Sequence, residues 1–484
     1  MDTGKIALAK ACKGLEDTNP LMTQRFGADP YAMVYKDRVY IYMTADAFEY
    51  ETDGSIKENT YSKIHQINVI STNDMVNFTD HGAVNAASQT GIAKWAGNSW
   101  APAAAWKEID GKDRFFLYFA DGGGGIGVLQ ADSPTGPFRD PLGKGLVTRE
   151  TPNCADVLWL FDPAVLVDDD GRAYLYFGGG VPDGKAAAPG TARVVELGAD
   201  MVSIAGEPQA MDVPYLFEDS GIHKAGGKYY YTYCTNWNVD AAGTERYGFH
   251  NGEIACMVSD APMGPFVYRE TILRNPSRVF GLESNNHHCV FCFQDQWYIA
   301  YHTRILEKAM GVEKGYRCTH IDAFAMQEDG AIGEISQTLR GRKQVRYVDA
   351  YQENPAVSFA VMAGAGTAAE DRSGQCGGSM VLTDIERGGF IRVAGVDFAK
   401  GAPKLFAMAL RCAGNGTARG AVQVRIDSPE GELLACLDLT DLTDGQKFTV
   451  CGTQLLTPVQ GVHDLYLIFD GAGFEVRSWR FVEE

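Results

Sequence analysis

One hairpin, written five times, constrains what this chain can fold into more than anything else in it. Its clearest copy is Phe161-Asp-Pro-Ala-Val-Leu-Val-Asp-Asp-Asp-Gly-Arg-Ala-Tyr-Leu-Tyr-Phe-Gly-Gly179. Two apolar or aromatic runs, Pro163 to Val167 and Ala173 to Phe177, flank an acidic turn closed by Gly171, the pattern of a β-hairpin. The pattern occurs earlier as Asp29-Pro-Tyr-Ala-Met-Val-Tyr-Lys-Asp-Arg-Val-Tyr-Ile-Tyr-Met-Thr44. It returns at Ala101 to Trp106 with Arg114 to Ala120, at Asp219 to Tyr233, and at His287 to His302. Outer strands repeat as well. Gly127-Val-Leu-Gln-Ala-Asp132 runs into Ser133-Pro-Thr-Gly-Pro-Phe138, and Ile254-Ala-Cys-Met-Val-Ser259 runs into Ala261-Pro-Met-Gly-Pro-Phe266. Five self-similar units of about four short strands each predict an all-β fold, a five-bladed β-propeller rather than one large sheet.

The head of each copy carries the functional signal: Asp29, the Ser99-Trp100 pair, Asp162, Glu218 and His287-His288. In a propeller the first strand of each blade lines the central channel, so equivalent positions converge. Three carboxylates and an imidazole are then expected to face one another across a narrow pocket. Each residue also has a plainer role open to it. Asp-Pro pairs cap turns, Glu218 beside Asp219 could be a solvated acidic turn, His287 and His288 could be core histidines, and Trp100 could be packing. The run Asp168-Asp-Asp170 superficially suggests calcium but reads as a hairpin turn.

At 484 residues the chain is too long for one ordinary domain. The repeat stops near Arg340-Gly-Arg-Lys-Gln344, and residues 359 to 380 are rich in Ala, Gly, Ser and Thr, a shift typical of a boundary. Beyond it lie short alternating segments: Phe390 to Val393, Lys404 to Leu410, Ala421 to Ile426, Leu433 to Leu437, Asp464 to Phe469 and Phe474 to Phe481. That spacing predicts a β-sandwich, jelly-roll-like. The expected organisation is a propeller over residues 1–345 and a sandwich over 346–484.

A net charge of −19 argues against nucleic acid or an anionic membrane as partner and is compatible with a neutral substrate. No apolar run is long enough for a transmembrane helix. The first residues, Met-Asp-Thr-Gly-Lys-Ile-Ala-Leu-Ala-Lys, lack the apolar core of a secretory signal. Eleven cysteines scattered without regular spacing suit reduced thiols. Together these set the expectation of a cytoplasmic location, unless a leader has been trimmed.

The N-terminal part, over about the first 345 residues, resembles glycoside hydrolase family 43, five-bladed-propeller enzymes acting on arabinose- and xylose-containing plant polymers. The motifs that carry the resemblance are Phe26-Gly-Ala-Asp-Pro30, Trp100-Ala-Pro102, Phe161-Asp-Pro-Ala-Val165, Glu218-Asp-Ser-Gly-Ile-His-Lys224, Asn285-Asn-His-His288 and Gly315-Tyr-Arg317. The resemblance implies that Asp29 is the general base, Asp162 the residue that tunes the acid, and Glu218 the general acid. It implies that His287 is an axial histidine holding a water or calcium ion, with no metal required for the chemistry, that His288 is its neighbour at the substrate, and that Arg317 lies near the substrate's hydroxyls. The chemistry agrees: glycoside hydrolysis needs an acid for the leaving oxygen and a carboxylate to activate water, and a wide gap between them gives inversion. A third carboxylate keeps the acid protonated, and Trp100 offers an apolar face for a sugar ring.

The C-terminal part resembles a family 6 carbohydrate-binding module through Gly389-Phe-Ile-Arg-Val-Ala-Gly-Val-Asp-Phe398 and His463-Asp-Leu-Tyr-Leu-Ile-Phe469. It departs from that pattern where sugar is usually held, with Phe474-Glu-Val-Arg-Ser-Trp-Arg-Phe481 as closing strand and Asp349-Ala-Tyr351 in place of a calcium-binding Glu-Ala-Glu. A structural role is expected for it. The expected activity is that of an inverting, exo-acting α-L-arabinofuranosidase on arabinoxylan or its oligosaccharides, with a plant cell-wall saccharide as partner. A β-xylosidase, or an enzyme with both activities, is the close alternative, and a non-catalytic carbohydrate-binding propeller the more remote one.

Overall fold

The computed structural model describes residues 6–371, 376–399, 401–413, 418–439 and 447–483. They fall into two compact units. The first holds Arg25–Val69 and Ala83–Gly341; the second holds the described residues up to Gln24, then Ile70–Gly82, then those from Arg342 onward. Both are β-structures, and the helices among the described residues are the short Ala241–Tyr247, Ser277–Phe280 and Ile305–Ala309. No helix among those residues is long and apolar enough to cross a membrane.

In the first unit each of the five sequence hairpins is present. Ala28–Tyr35 pairs with Arg38–Thr44, Trp100–Ile109 with Lys112–Ala120, and Ala164–Val167 with Ala173–Phe177. Leu216–Ala225 pairs with Lys228–Thr235, and His288–Phe293 with Gln296–Thr303. From the second hairpin on, each belongs to a separate sheet of three or four strands. The acidic turn of the third hairpin is structural: Gly171 takes the left-handed conformation at φ 81°, and Asp168 accepts from Tyr229 Oη at 2.5 Å and from Lys224 Nζ.

Buried tyrosines tie these sheets in chain order. A tyrosine on the second strand of a hairpin reaches the outer turn of the next repeat: Tyr42 Oη donates to Pro134 O at 2.7 Å, Tyr118 Oη to Met201 O at 2.7 Å, and Tyr176 Oη to Pro262 O at 2.5 Å. The aromatic body fills the space between sheets while the hydroxyl is satisfied, as burial of a phenol requires. The repeated turns Ser133-Pro-Thr-Gly-Pro and Ala261-Pro-Met-Gly-Pro therefore present a carbonyl to the preceding sheet. The last sheet is bonded to the first, with Thr319 Oγ1 donating to Gly27 O at 2.9 Å and Gly27 N to Arg317 O at 3.0 Å.

The inner strands carry a shared backbone device. Asp29, Ala101, Asp162 and Asp219 have φ of 46°, 34°, 51° and 69°. Strand register breaks at three of these places, between Ala28 and Tyr31, Trp100 and Ala103, and Glu218 and Gly221. Such bulges re-aim a side chain at a strand's start, and aspartate tolerates the left-handed region better than most residues. The residue of the fourth repeat that matches Asp29 and Asp162 is thus Asp219. Glu218 sits one position earlier, in step with Trp100.

The second unit contains two six-stranded sheets. One centres on Phe390–Asp397, Val462–Ala472 and Arg419–Ile426; the other centres on Met380–Thr383, Phe474–Val482 and Leu405–Cys412. Val393, Val424 and Leu467 from the one and Met408, Trp479 and Phe481 from the other share a hydrophobic core. Residues 70–82 belong here. Val76 packs with Val361, Phe390 and Tyr466. Asn77 donates its amide to Ala394 O at 2.9 Å and accepts Ala394 N at 2.8 Å, while Asp80 accepts Thr367 Oγ1 at 2.6 Å.

Candidate active site

A cavity of about 530 Å³ in the first unit gathers residues from all five repeats. Its buried floor is Asp29, Asp162, Glu218, His287 and Arg317, and its half-buried wall includes Tyr61, Trp100, Trp159 and Trp237. Left-handed backbone explains two of the floor's carboxylates. Asp29 and Asp162 sit in left-handed backbone at the start of their strands, so both side chains turn inward from different sheets.

The three carboxylates have different surroundings. Asp29 Oδ1 accepts Arg317 Nη1 at 2.8 Å, and Asp29 N donates to His302 Nδ1 at 3.2 Å. Burial pushes the Asp29 carboxyl up, but the Arg317 guanidinium, His302 and His287 together hold the group well below the usual carboxylate range. Asp162 Oδ2 accepts Asp219 N at 2.9 Å. Glu218 Oε1 makes no hydrogen bond among the described residues. Burial first, then the facing Asp162 and Asp29, push Glu218 well above the ordinary glutamate range. Two carboxyls in one pocket are thereby driven apart: one kept ionised, one kept protonated.

His287 lies among them, its Nδ1 at 3.7 Å from both Asp29 Oδ1 and Asp162 Oδ2, its Nε2 at 3.1 Å from Asp219 Oδ1. Burial holds its imidazole below the usual histidine value, toward the neutral form. A calcium ion takes six to eight oxygen ligands. Among the described residues no group of three or more His, Cys, Asp or Glu side chains is arranged to hold a metal ion. His288, grouped with the substrate residues from the sequence, does not line the cavity. Its Nδ1 meets Asp219 Oδ2 at 2.5 Å and its Nε2 meets Thr232 Oγ1 at 2.7 Å, which places it behind the floor.

The structure adds residues the motifs did not single out. Asp46 takes Arg317 in a two-pronged grip, from Nε at 3.0 Å and Nη2 at 2.9 Å. Asp219 holds both histidines. Tyr61 accepts Trp100 Nε1 on its carbonyl at 2.9 Å and lies under the Arg317 guanidinium, 4.8 Å from ring centre to Cζ. Trp159, two residues before Phe161, packs on Gly123, where an added β-carbon would sit 3.1 Å from the indole.

The model of Glycosyl hydrolases family 43 matches residues 18–332. The chain belongs to glycosyl hydrolases family 43. As a member of family 43 it is a glycoside hydrolase, and a second model, Carbohydrate binding module (family 6), matches residues 355–483. It is 47% identical over 482 residues to an arabinoxylan arabinofuranohydrolase of Paenibacillus polymyxa, across 96% of this chain and 74% of that protein. It is 43% identical over 505 residues to an arabinoxylan arabinofuranohydrolase of Bacillus subtilis (strain 168), across 99% of this chain and 96% of that one. A crystal structure of a family 43 arabinoxylan arabinofuranohydrolase from Bacillus subtilis, in complex with cellotetraose, superposes with a TM-score of 0.93 at 42% identity, covering 99% of both chains.

Proposed function

We propose that this chain is an inverting, exo-acting α-L-arabinofuranosidase that removes arabinose from arabinoxylan or its oligosaccharides. The observation that carries this is one cavity whose buried floor brings together Asp29, pinned by Arg317, and Glu218, whose Oε1 has no hydrogen-bond partner among the described residues. Glu218, protonated and with a free Oε1, gives its proton to the departing glycosidic oxygen. Asp29, ionised, takes a proton from the water that attacks the anomeric carbon from the opposite side. Asp162, held by Asp219 N, faces Glu218; burial first, then the Asp29 charge, push its carboxyl up as well, so the two facing carboxyls together keep a proton for the acid. Arg317 and the neutral His287 set the position of Asp29, and the aromatic wall gives the pentose an apolar face. We propose further that the first unit is a five-bladed propeller, supported by the tyrosine ties between consecutive sheets and the bonds from last sheet to first, and that the second unit is a β-sandwich. The names of the full-length relatives favour arabinose over xylose.

The test is hydrolysis of a chromogenic α-L-arabinofuranoside and the matching β-D-xyloside side by side, with release of arabinose from arabinoxylan followed by the anomeric configuration of the first product. The arabinofuranoside should be cleaved at least ~10-fold faster by kcat/KM, and Asp29→Asn should lose well beyond ~10²-fold. Preference for the xyloside would move the assignment to a β-xylosidase, and a well-folded Asp29→Asn enzyme that retains activity would remove Asp29 as the base.

A further inference from the structure

Arg317 holds two carboxylates, and only one of them lines the cavity. Its Nε and Nη2 form a side-on fork to Asp46 Oδ2 and Oδ1, its backbone N–H adds a third bond to Asp46 Oδ2 at 3.1 Å, and its Nη1 is left for Asp29 Oδ1. Asp46 is buried and absent from the cavity wall. We propose that Asp46 is the positioning residue of this site: it fixes the Arg317 guanidinium in the one orientation that gives Asp29 a single hydrogen bond and leaves its second oxygen for water.

The reason lies in what arginine does otherwise. A guanidinium beside one carboxylate prefers the bidentate pairing, with two parallel N–H···O bonds. If Arg317 paired that way with Asp29, both oxygens of the base would be occupied and the attacking water would lose its acceptor. Asp46 prevents this by taking the fork itself. Asp29 Oδ2 makes no hydrogen bond among the described residues, as a base awaiting water requires. Asp46 also shares the positive charge. The charged and titratable groups around Arg317 are Asp29, Asp46 and Tyr61, those around Glu218 are Asp162, Asp29, Asp219 and Arg317, and His287 and His302 flank Asp29. Removing the Asp46 charge leaves Arg317 less compensated. A less compensated cation makes Glu218 easier to ionise, so the acid loses its proton at lower pH. This inference rests on Asp29 being the base.

The experiment is a cycle on the full-length enzyme: Asp46→Asn, Arg317→Lys and the pair, with kcat and KM for an aryl α-L-arabinofuranoside across pH, and circular dichroism on each. Asp46→Asn should lower kcat by ~10- to 100-fold, the scale of a small misplacement at a reacting centre, with KM changing less than kcat. The alkaline limb of its pH profile should move to lower pH. In the Arg317→Lys background Asp46→Asn should cost almost nothing more, because its effect passes through the fork that lysine lacks. A folded Asp46→Asn enzyme with the wild-type alkaline limb, or losses that multiply in the pair, overturns the proposal. Should Asp46→Asn not fold, Asp46→Glu decides: it keeps charge and both oxygens but displaces the fork by one methylene, so kcat should fall with the pH limbs in place, and wild-type kcat overturns the proposal. Asp29→Asn serves as the control. Its retained activity overturns the base assignment and this inference together, whereas its loss beside a wild-type-like Asp46→Asn overturns this inference alone.

Discussion

Glu218 and Asp219 are neighbours with opposite tasks. Glu218 faces the cavity with an unpartnered oxygen, while Asp219 is turned inward and bonded to both His287 and His288. The sequence led to Glu218 through the motif that follows it, yet aligning the repeat heads would have put Asp219 in register with Asp29 and Asp162, and the backbone angles agree with that alignment. The bulge itself is shared by the first, second and fourth repeats; what differs is that Glu218 stands one position before the left-handed residue, whereas Asp29 is that residue, and no periodicity of two can announce such a shift. Asp46 was beyond sequence reasoning for another reason: it follows the strand Arg38–Thr44 in an irregular segment with no motif around it. His288 was misleading because adjacency in sequence puts successive strand residues on opposite faces. The role of Glu218 has its own test. Glu218→Gln should cost at least ~10²-fold on a substrate with an alkyl or sugar leaving group and far less on one with a nitrophenolate, which departs without a proton. Rates on both measured with the same variant decide it, and equal losses would point to a binding role.

At the scale of elements, the closing strand Phe474–Val482 is informative. Its aromatics, Phe474, Trp479 and Phe481, are all buried, each at 1% exposure. Glu475 is buried too and accepts Arg411 Nε at 2.6 Å, and Arg477 pairs with Glu370. Around Phe448, the Arg477 and Arg411 guanidinium carbons stand 4.1 and 4.6 Å from the ring centre. A sugar-binding face needs an open flat aromatic and an amide; this strand offers cations over a ring and an ion pair instead. Trp479 lies in the core that the two sheets of the second unit share. The partners of Glu475 were not legible, since they come from strands far apart in the chain. Trp479→Ala should therefore act on stability, lowering the unfolding free energy by about 3–5 kcal/mol in a denaturant melt. Retention of the protein in an arabinoxylan affinity gel should be unaltered under native conditions. An unchanged melt with lost retention would make Trp479 a sugar platform.

Over the whole molecule, the five hairpins and the strands of the second unit were readable because apolar alternation and Gly-rich turns are local signals. The membership of residues 70–82 was not, because their sequence looks like any outer strand while their partners are Val357, Thr367 and Ala394. Truncation at residue 345 should therefore remove the hydrogen-bond partners of Asn77 and Asp80 and uncover Val76. The expected result is a lower melting temperature and less soluble protein, read by a thermal melt against the full chain; an equally stable truncated protein would contradict this packing. The same discontinuity bears on synthesis and on inheritance. A unit stitched from three separated stretches cannot be finished while the ribosome still holds its last strands, so residues 70–82 wait for partners through the translation of residues 83–341. Nor can such a unit be traded between genes at a single crossover near residue 345, because part of it stays behind on the other side of the cut.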